Sequence, residues 1–114
     1  MIKIEDCIEA IHAEALTEAR RAAERFFTER LGGRDQFACG RAWVDLPDVR
    51  GNTRLGKKLL SMGFKKPYGR KGLYFSDPSR MPVQNVDTLF HGAVAYARVL
   101  ESWGIHAVAD SNLD

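Results

Sequence analysis

The sequence predicts an α+β domain in which two long helices pack on one face of a small three-stranded sheet, in the order α-β-α-β-α-β. Two observations lead to this prediction. Apolar residues recur at steps of three and four in residues 5–31 and 85–103, as in amphipathic helices, whereas residues 37–46 alternate as a strand does. The chain has 114 residues, 45% of them hydrophobic and 28% charged, so residues 1–114 form a single domain.

The first helix is predicted over residues 5–31, and Gly32 and Gly33 supply its left-handed stop. A helix of this length measures about 40 Å. A compact domain of this size is only about 35 Å across. The helix therefore either overhangs the domain and meets a second copy, which predicts a homo-oligomer, or breaks near Thr17 and packs within one monomer.

The first strand, residues 37–46, has two different faces. One face carries the small or aliphatic side chains of Ala38, Gly40, Ala42, Val44 and Leu46. The other carries Phe37, Cys39, Arg41, Trp43 and Asp45, with Tyr74 and His106 as expected neighbours. Because two helices cover only one side of the sheet, we expect this aromatic face to stay uncovered and to bind a partner or a second copy.

A short helix is predicted over residues 53–62, with Asn52 as its cap. A glycine-containing turn over residues 66–72 leads into a second strand, residues 73–76. The third helix starts at a cap formed by Asn85 or Asp87 and ends near Trp103.

The C-terminal part is predicted as a final strand over residues 105–109, followed by a polar tail over residues 110–114. His106 alternates with core residues there, which indicates a structural role.

The two cysteines, Cys7 and Cys39, have neither the number of a disulfide framework nor the spacing of a zinc site. No apolar run approaches the length of a membrane span, so no membrane partner is expected. Glu5, Asp6 and Glu9 interrupt the order of a signal peptide. We therefore expect a cytoplasmic protein, either of a cell or of an infected host cell.

The formal net charge of +2 hides an uneven distribution. Residues 49–76, the basic segment, contain eight Lys and Arg residues and no acid, and the rest of the chain has nine bases and fifteen acids. Such a segment concentrates phosphate groups, and Gly69 and Gly72 expose backbone N–H groups to an oxyanion. Tyr68 and Tyr74 flank the turn and could stack on a base. The alternative is an ordinary solvated surface.

The sequence contains no convincing catalytic set. Asp87 and His91 share a helical face at i and i+4, but a metal needs a third ligand, so a helix-surface hydrogen bond is the better interpretation. Cys39 lies beside Arg41 without a base within sequence reach. Residues 51–57 lack the spacing and hydroxyl of a phosphate-binding P-loop. We therefore predict a non-enzymatic binding protein with no metal and no cofactor.

Residues 51–75, GNTRLGKKLLSMGFKKPYGRKGLYF, resemble the recognition helix and wing of winged-helix DNA-binding domains. The resemblance implies contact with a nucleic-acid backbone. A winged helix also has a helix-turn-helix immediately before this point, where this sequence has its first strand.

A second resemblance covers residues 38–114. The pattern CGRAWV, LGKKLL…GF, KGLYF and QNVDTLFHGAVAYARVLESWGI ending in SNLD is similar to small phage-encoded α/β proteins of unassigned function. The resemblance implies four ligand-pocket positions, Gln84, Asp87, Ser111 and Asp114. His91 stands where an acidic residue is common, and Asn112 stands where a basic one is usual.

Together these observations predict a protein that captures a phosphate-bearing nucleotide through residues 50–72. The phage resemblance implies counter-defence by sequestering a host signal. A nucleic-acid-binding protein using the same segment is the alternative, and an interaction protein using the uncovered face and long helix is a third. The predicted ligand-binding residues are Arg41, Trp43, Arg50, Asn52, Arg54, Lys57, Lys58, Tyr68, Arg70, Lys71, Gln84 and Asp87.

Overall fold

A computed structural model describes residues 3–114 and confirms the α+β class. Met1 and Ile2 lie outside the described residues. The elements in chain order are α1 (Ile4–Glu29), β1 (Gly40–Leu46), α2 (Arg54–Ser61), β2 (Leu73–Ser76), α3 (Val86–Ser102) and β3 (Val108–Leu113). The three strands form an antiparallel sheet in the order β2-β1-β3. No helix in the described part of the chain has the length and apolar character to cross a membrane.

Helix α1 is continuous over 26 residues, so the predicted long helix is present and the alternative, a break near Thr17, does not occur. The Thr17 hydroxyl donates a hydrogen bond to the Ala13 carbonyl inside the unbroken helix. The molecule measures 45 × 32 × 19 Å, so it is elongated rather than spherical. A helix of about 39 Å fits along its longest axis. The length of α1 therefore gives no reason by itself to expect a second copy.

Helices α1 and α3 run antiparallel and form the most extensive contact between two elements. His12 meets Tyr96 near one end of the pair, and Phe26 stacks on His91 near the other. Helix α3 packs on β1 and β3, and α1 reaches β2 through the ring of Phe75, 5.2 Å from that of His12. Helix α2 packs against α1.

Strand β1 begins later than predicted. Phe37 has a φ of +71°, which ends the extended conformation, and Cys39 makes only an isolated bridge to Asn85. Phe37 is 71% exposed and lies outside the sheet. The prediction that Phe37 lies on the strand and on its uncovered face was therefore wrong.

The final strand was also misplaced. Residues 105–109 were predicted as the strand and 110–114 as a tail, but β3 pairs with β1 from Val108 to Leu113. Ile105 and Ala107 are buried in the connection from α3, which explains the misleading apolar alternation. His106 lies before the strand, with its Nδ1 3.1 Å from the Glu101 carboxylate, and so does not join the uncovered face as expected.

The caps of α2 and α3 differ in how well the sequence predicted them. Thr53, not Asn52, caps α2, because its hydroxyl accepts a hydrogen bond from the Gly56 N–H at 3.0 Å. Asn85 caps α3, since its side-chain oxygen accepts from the Thr88 N–H at 2.8 Å. The Asn85 side-chain amide also donates to the Asp35 carboxylate, which accepts the Asn85 backbone N–H as well. These hydrogen bonds, that from the Asn85 side chain first, lower the pKa of Asp35.

The two asparagines provide a matched test of this capping. We expect Asn85→Ala to lower the free energy of unfolding by about 1–2 kcal/mol, because a buried cap and its link to Asp35 are lost. Asn52→Ala, on an exposed residue outside the cap, should change it by less than about 0.5 kcal/mol. Urea unfolding at pH 7 measures both, and equal effects would contradict the assignment of the caps.

His12 is a titratable side chain that lies half-buried against the core. Its Nδ1 lies 2.6 Å from the Tyr96 hydroxyl, and its ring contacts those of Phe64 and Phe75. Burial, with a smaller contribution from the nearby positive charge of Arg80, lowers the pKa of His12 below its ordinary value of 6.5. The folded protein therefore prefers neutral His12.

This lowered pKa predicts the direction of a pH effect. Above pH 6.5, His12 is neutral in both folded and unfolded chains and contributes nothing. As the pH falls below 6.5, the unfolded chain binds a proton that the folded chain resists, so stability declines until the pH passes the lowered pKa. Wild type should lose more unfolding free energy between pH 7.5 and 5 than His12→Gln, measured by urea titration. Equal losses would contradict this coupling.

Candidate functional site

One face of the sheet carries partly exposed aromatic and polar side chains, and we call it the open sheet face. In β1, residues 40, 42, 44 and 46 are buried, whereas the residues between them are half-buried or exposed. Cross-strand partners point to the same face of a sheet. The open sheet face is therefore formed by Arg41, Trp43 and Asp45 of β1, Tyr74 and Ser76 of β2, and Val108, Asp110 and Asn112 of β3.

The turn of the basic segment lies at the β2 edge of this face. Lys65 and Tyr74 exchange two backbone hydrogen bonds of 2.9 Å, so a short hairpin follows α2 and its tip is the turn 66–72. As the partner of Tyr74, Lys65 shares the open sheet face. The sequence alone does not indicate Lys65 as a binding residue, because pairing outside a regular strand leaves no alternating pattern.

Asp45 fixes two of the predicted ligand-binding side chains. Its carboxylate accepts a hydrogen bond from the Trp43 indole N–H at 3.0 Å and another from the Arg70 guanidinium at 2.9 Å. The Asp45 side chain is only 16% exposed, so both bonds are partly shielded from water. The indole of Trp43 is thereby held in one orientation beside a cation.

A cavity of about 370 Å³ lies next to Trp43, bordered both by residues of this face and by Ala42 and Leu89 of the helix side. Its lining residues are Arg41, Ala42, Trp43, Tyr74, Ser76, Asp77, Leu89 and Asn112. The cavity lies where β2 ends: Asp77 has a φ of +44°, and its N–H donates to the Ala42 carbonyl at 2.9 Å. The buried Ser79 hydroxyl holds the Asp77 carboxylate at 3.1 Å. The volume lies within the range typical of small-molecule sites.

A smaller cavity of about 190 Å³ lies at the other end of β1, between Arg70, Lys71 and Val108. Asp45, which holds Trp43, also lines this cavity. Arg70 and Lys71, both predicted from the basic turn, are thus placed at the sheet face. Tyr68 stands fully exposed at the tip of the turn.

Two of the three cations of α2 are directed toward α1. Arg54 forms an ion pair with Asp6 at 2.6 Å. Lys58 donates to the Glu5 carbonyl at 2.7 Å and lies 3.5 Å from the Glu9 carboxylate. These contacts tie α2 to the acidic start of α1. The basic segment is therefore divided between two locations, and three of its eight charges, including that of Arg70, already have carboxylate partners.

The other predicted residues near α2 do not extend the site. Arg50 and Lys57 are exposed and make no ion pair within residues 3–114. Asn52 is likewise exposed. None of the three lines the cavity beside Trp43.

Two of the four positions implied by the phage resemblance, Gln84 and Asp114, lie at another corner, whereas Ser111 pairs with Ala42 farther along β1. The Gly40 N–H donates to the Gln84 carbonyl at 3.0 Å, and the Asp114 N–H donates to the Cys39 carbonyl at 3.2 Å. Residues 84 and 114 thus adjoin the start of β1 on its two sides. Arg41 links this corner to the open sheet face, 3.5 Å from the Asp114 carboxylate.

Asp87 and His91 do not form a carboxylate–imidazole pair. The Nδ1 of His91 lies 2.8 Å from the backbone carbonyl of Asp87, and its ring stacks on Phe26 with 4.0 Å between centroids. Across residues 3–114, no three His, Cys, Asp or Glu side chains group as a metal site would require.

Comparison with protein-family models, curated protein sequences and solved structures finds no match for this chain. Its function must therefore be inferred from its own residues.

The contact between Trp43 and Asp45 can be tested in a Trp103→Phe background, where Trp43 is the remaining tryptophan. We expect Asp45→Ala to increase acrylamide quenching of Trp43 and to lower the free energy of unfolding by about 1 kcal/mol, as lost hydrogen bonds to a carboxylate do. The exposed Asp48→Ala serves as the control. Unchanged quenching in Asp45→Ala would contradict an indole held by this carboxylate.

Proposed function

We propose that the protein binds a phosphate-bearing nucleotide, without catalysis, in the cavity beside Trp43 on the open sheet face. The observation that carries this proposal is the indole of Trp43, oriented by Asp45 and partly exposed next to the cation Arg41. A base stacked on such a ring gains about 1–3 kcal/mol. Orientation by Asp45 reduces the entropy lost on binding.

The cavity has polar groups that suit the edge of a base. The Ser76 hydroxyl and the Asn112 amide can donate and accept, whereas the Asp77 carboxylate accepts from exocyclic amino groups. Tyr74 is a diagonal neighbour of Trp43 across the strand pair, a separation of about 7–8 Å that lets both rings contact one ligand. Arg41 supplies the phosphate contact: its side chain is 80% exposed and its ion pair with Asp114 is long, at 3.5 Å, so a phosphate can replace that carboxylate.

This proposal keeps the predicted ligand class but changes the residues that bind it. Arg54 and Lys58 are held against α1 and do not line the cavity, so they do not contact a phosphate bound there. Arg41, Trp43 and the sheet-side turn remain as the binding surface.

A single-stranded nucleic acid is the second candidate, because the cavity opens onto a face that continues past it. Lys65, Arg70 and Lys71 lie toward the β2 edge, where the next phosphates of a chain would run. The acids Asp45 and Asp110 on the same face weaken this attraction, so a compact ligand is favoured.

Calorimetric titration with a panel of probes tests the proposal. The panel contains nucleoside mono- and triphosphates, cyclic dinucleotides and a mixed-sequence single strand of about 12 nucleotides. We expect Trp43→Ala to weaken binding at least tenfold, because a stacked base is lost. Arg41→Gln should weaken it by a similar factor, because a charge-assisted contact is lost.

Lys57→Gln and Trp103→Ala are the matched controls. The first removes an exposed cation and the second an exposed tryptophan, both away from the cavity. Two results would contradict this site. In the first, Lys57→Gln weakens binding as much as Arg41→Gln does; in the second, none of the probes binds. The single strand should show a slope of log affinity against log salt near −0.7 per neutralised phosphate if it is the true ligand. A shallow slope with one nucleotide per protein supports the compact ligand.

A further inference from the structure

A groove runs between α1 and α3 on the side away from the sheet. Two adjoining cavities of about 330 and 420 Å³ share Ala22, Arg25, Ala95 and Arg98, so they form one continuous depression. It extends along α1 from Glu18 to Arg30, a length of about 18 Å. This surface is separate from the cavity beside Trp43.

The floor of the groove is apolar. Phe26, Phe90 and Val94 are half-buried there, and Ala22 and Ala95 contribute only a methyl group each. Small side chains let another helix approach closely, since the distance between helix axes depends on the side chains at the contact. The stacked rings of Phe26 and His91 close one end.

The rim of the groove is rich in arginine. Arg21 forms an ion pair with Glu18 at 2.7 Å. Arg25, Arg30 and Arg98 make no ion pair with any carboxylate in the described part of the chain. Two carboxylates also line the groove: Glu18 is paired with Arg21, and Glu29 makes no ion pair in the described part of the chain. The three unpaired guanidinium groups outnumber that one carboxylate, so the groove is complementary to a ligand with an apolar ridge and acidic sides.

We propose that this groove is a docking site for an acidic amphipathic helix of another protein. A helix of that kind lays its apolar face in a groove and presents acids to both rims. Nucleic acid would pair with the arginines but leave the apolar floor unburied. A second copy related by a two-fold axis would bring this same arginine-rich surface against itself.

Fluorescence anisotropy with a labelled, helix-stapled peptide tests the proposal. The probe has about 14 residues, which matches the groove in length. Its leucines are placed at i, i+3, i+4 and i+7 and its glutamates on both flanks. Two further peptides control for its chemistry: one has lysine in place of glutamate, and the other has the same composition without an apolar face. We expect saturable binding of the first peptide only.

Substitutions in the protein locate the binding. Reversing two rim charges with Arg25→Glu and Arg98→Glu should weaken the acidic peptide more than tenfold, because two attractive contacts become repulsive. Ala95→Trp, which fills the floor without changing charge, should weaken it as well. Arg50→Glu with Lys57→Glu gives the same change in net charge at exposed residues away from the groove and should leave peptide binding unchanged.

Four results would overturn the proposal. The first is equal binding of the peptide that lacks an apolar face, and the second is full affinity in a folded Ala95→Trp variant. The third is competition by a single-stranded oligonucleotide whose own binding is lost in the variant carrying Arg25→Glu and Arg98→Glu. The fourth is a dimer in sedimentation that the same two substitutions dissociate. Nucleotide binding is tested by substituting Arg41, and peptide binding by substituting Arg25 and Arg98. A failure of either proposal can therefore be recognised independently of the other.

Discussion

The close contact between α1 and α3 is the constraint on which the rest of the structure depends. Gly92 makes it possible, because a Cβ at this position would lie 3.2 Å from the Ala19 carbonyl oxygen and 2.5 Å from the Cβ of Ser79. The buried alanines of α1, among them Ala15 and Ala19, keep the two helices near each other. This contact orients α1 and α3 toward the sheet and leaves a groove between them on the side away from the sheet.

The composition of β1 follows from that arrangement. Its helix-side residues are small or aliphatic, because α3 packs directly on this strand. The opposite side carries Arg41, Trp43 and Asp45. Their polar groups bond to each other or to Arg70 and Asp114, rather than to a covering layer. An aromatic side chain held by a carboxylate on an otherwise uncovered face adds little to the core, and this is why we assign it to binding.

The sequence could predict what local periodicity determines and little else. The continuous pattern of α1 and α3 and the glycine and asparagine signals at their ends give bounds within two residues of the structure. The final strand was predicted a few residues too early, because the polar residues of β3 lie on an uncovered face and one edge, where alternation of hydrophobicity is absent. Of the candidate site, Arg41 and Trp43 could be found from the alternation of β1, whereas Asp77 could not, since a positive φ at the end of β2 brings it to the cavity.

The distribution of charge also shows the limit of predicting a binding site from the sequence. Arg54 and Asp6 are 48 residues apart, so a count of charges along the chain assigns Arg54 to the basic segment and Asp6 to the acidic remainder. In the structure the two side chains form an ion pair. Conversely, Arg25 and Arg98 lie in acid-bearing helices far apart in sequence, yet they line one groove. The charge available to a ligand is therefore set by which cations lack partners in space. By that criterion the basic segment offers a ligand fewer charges than its composition implies. The helix pair offers more charges than its own composition implies.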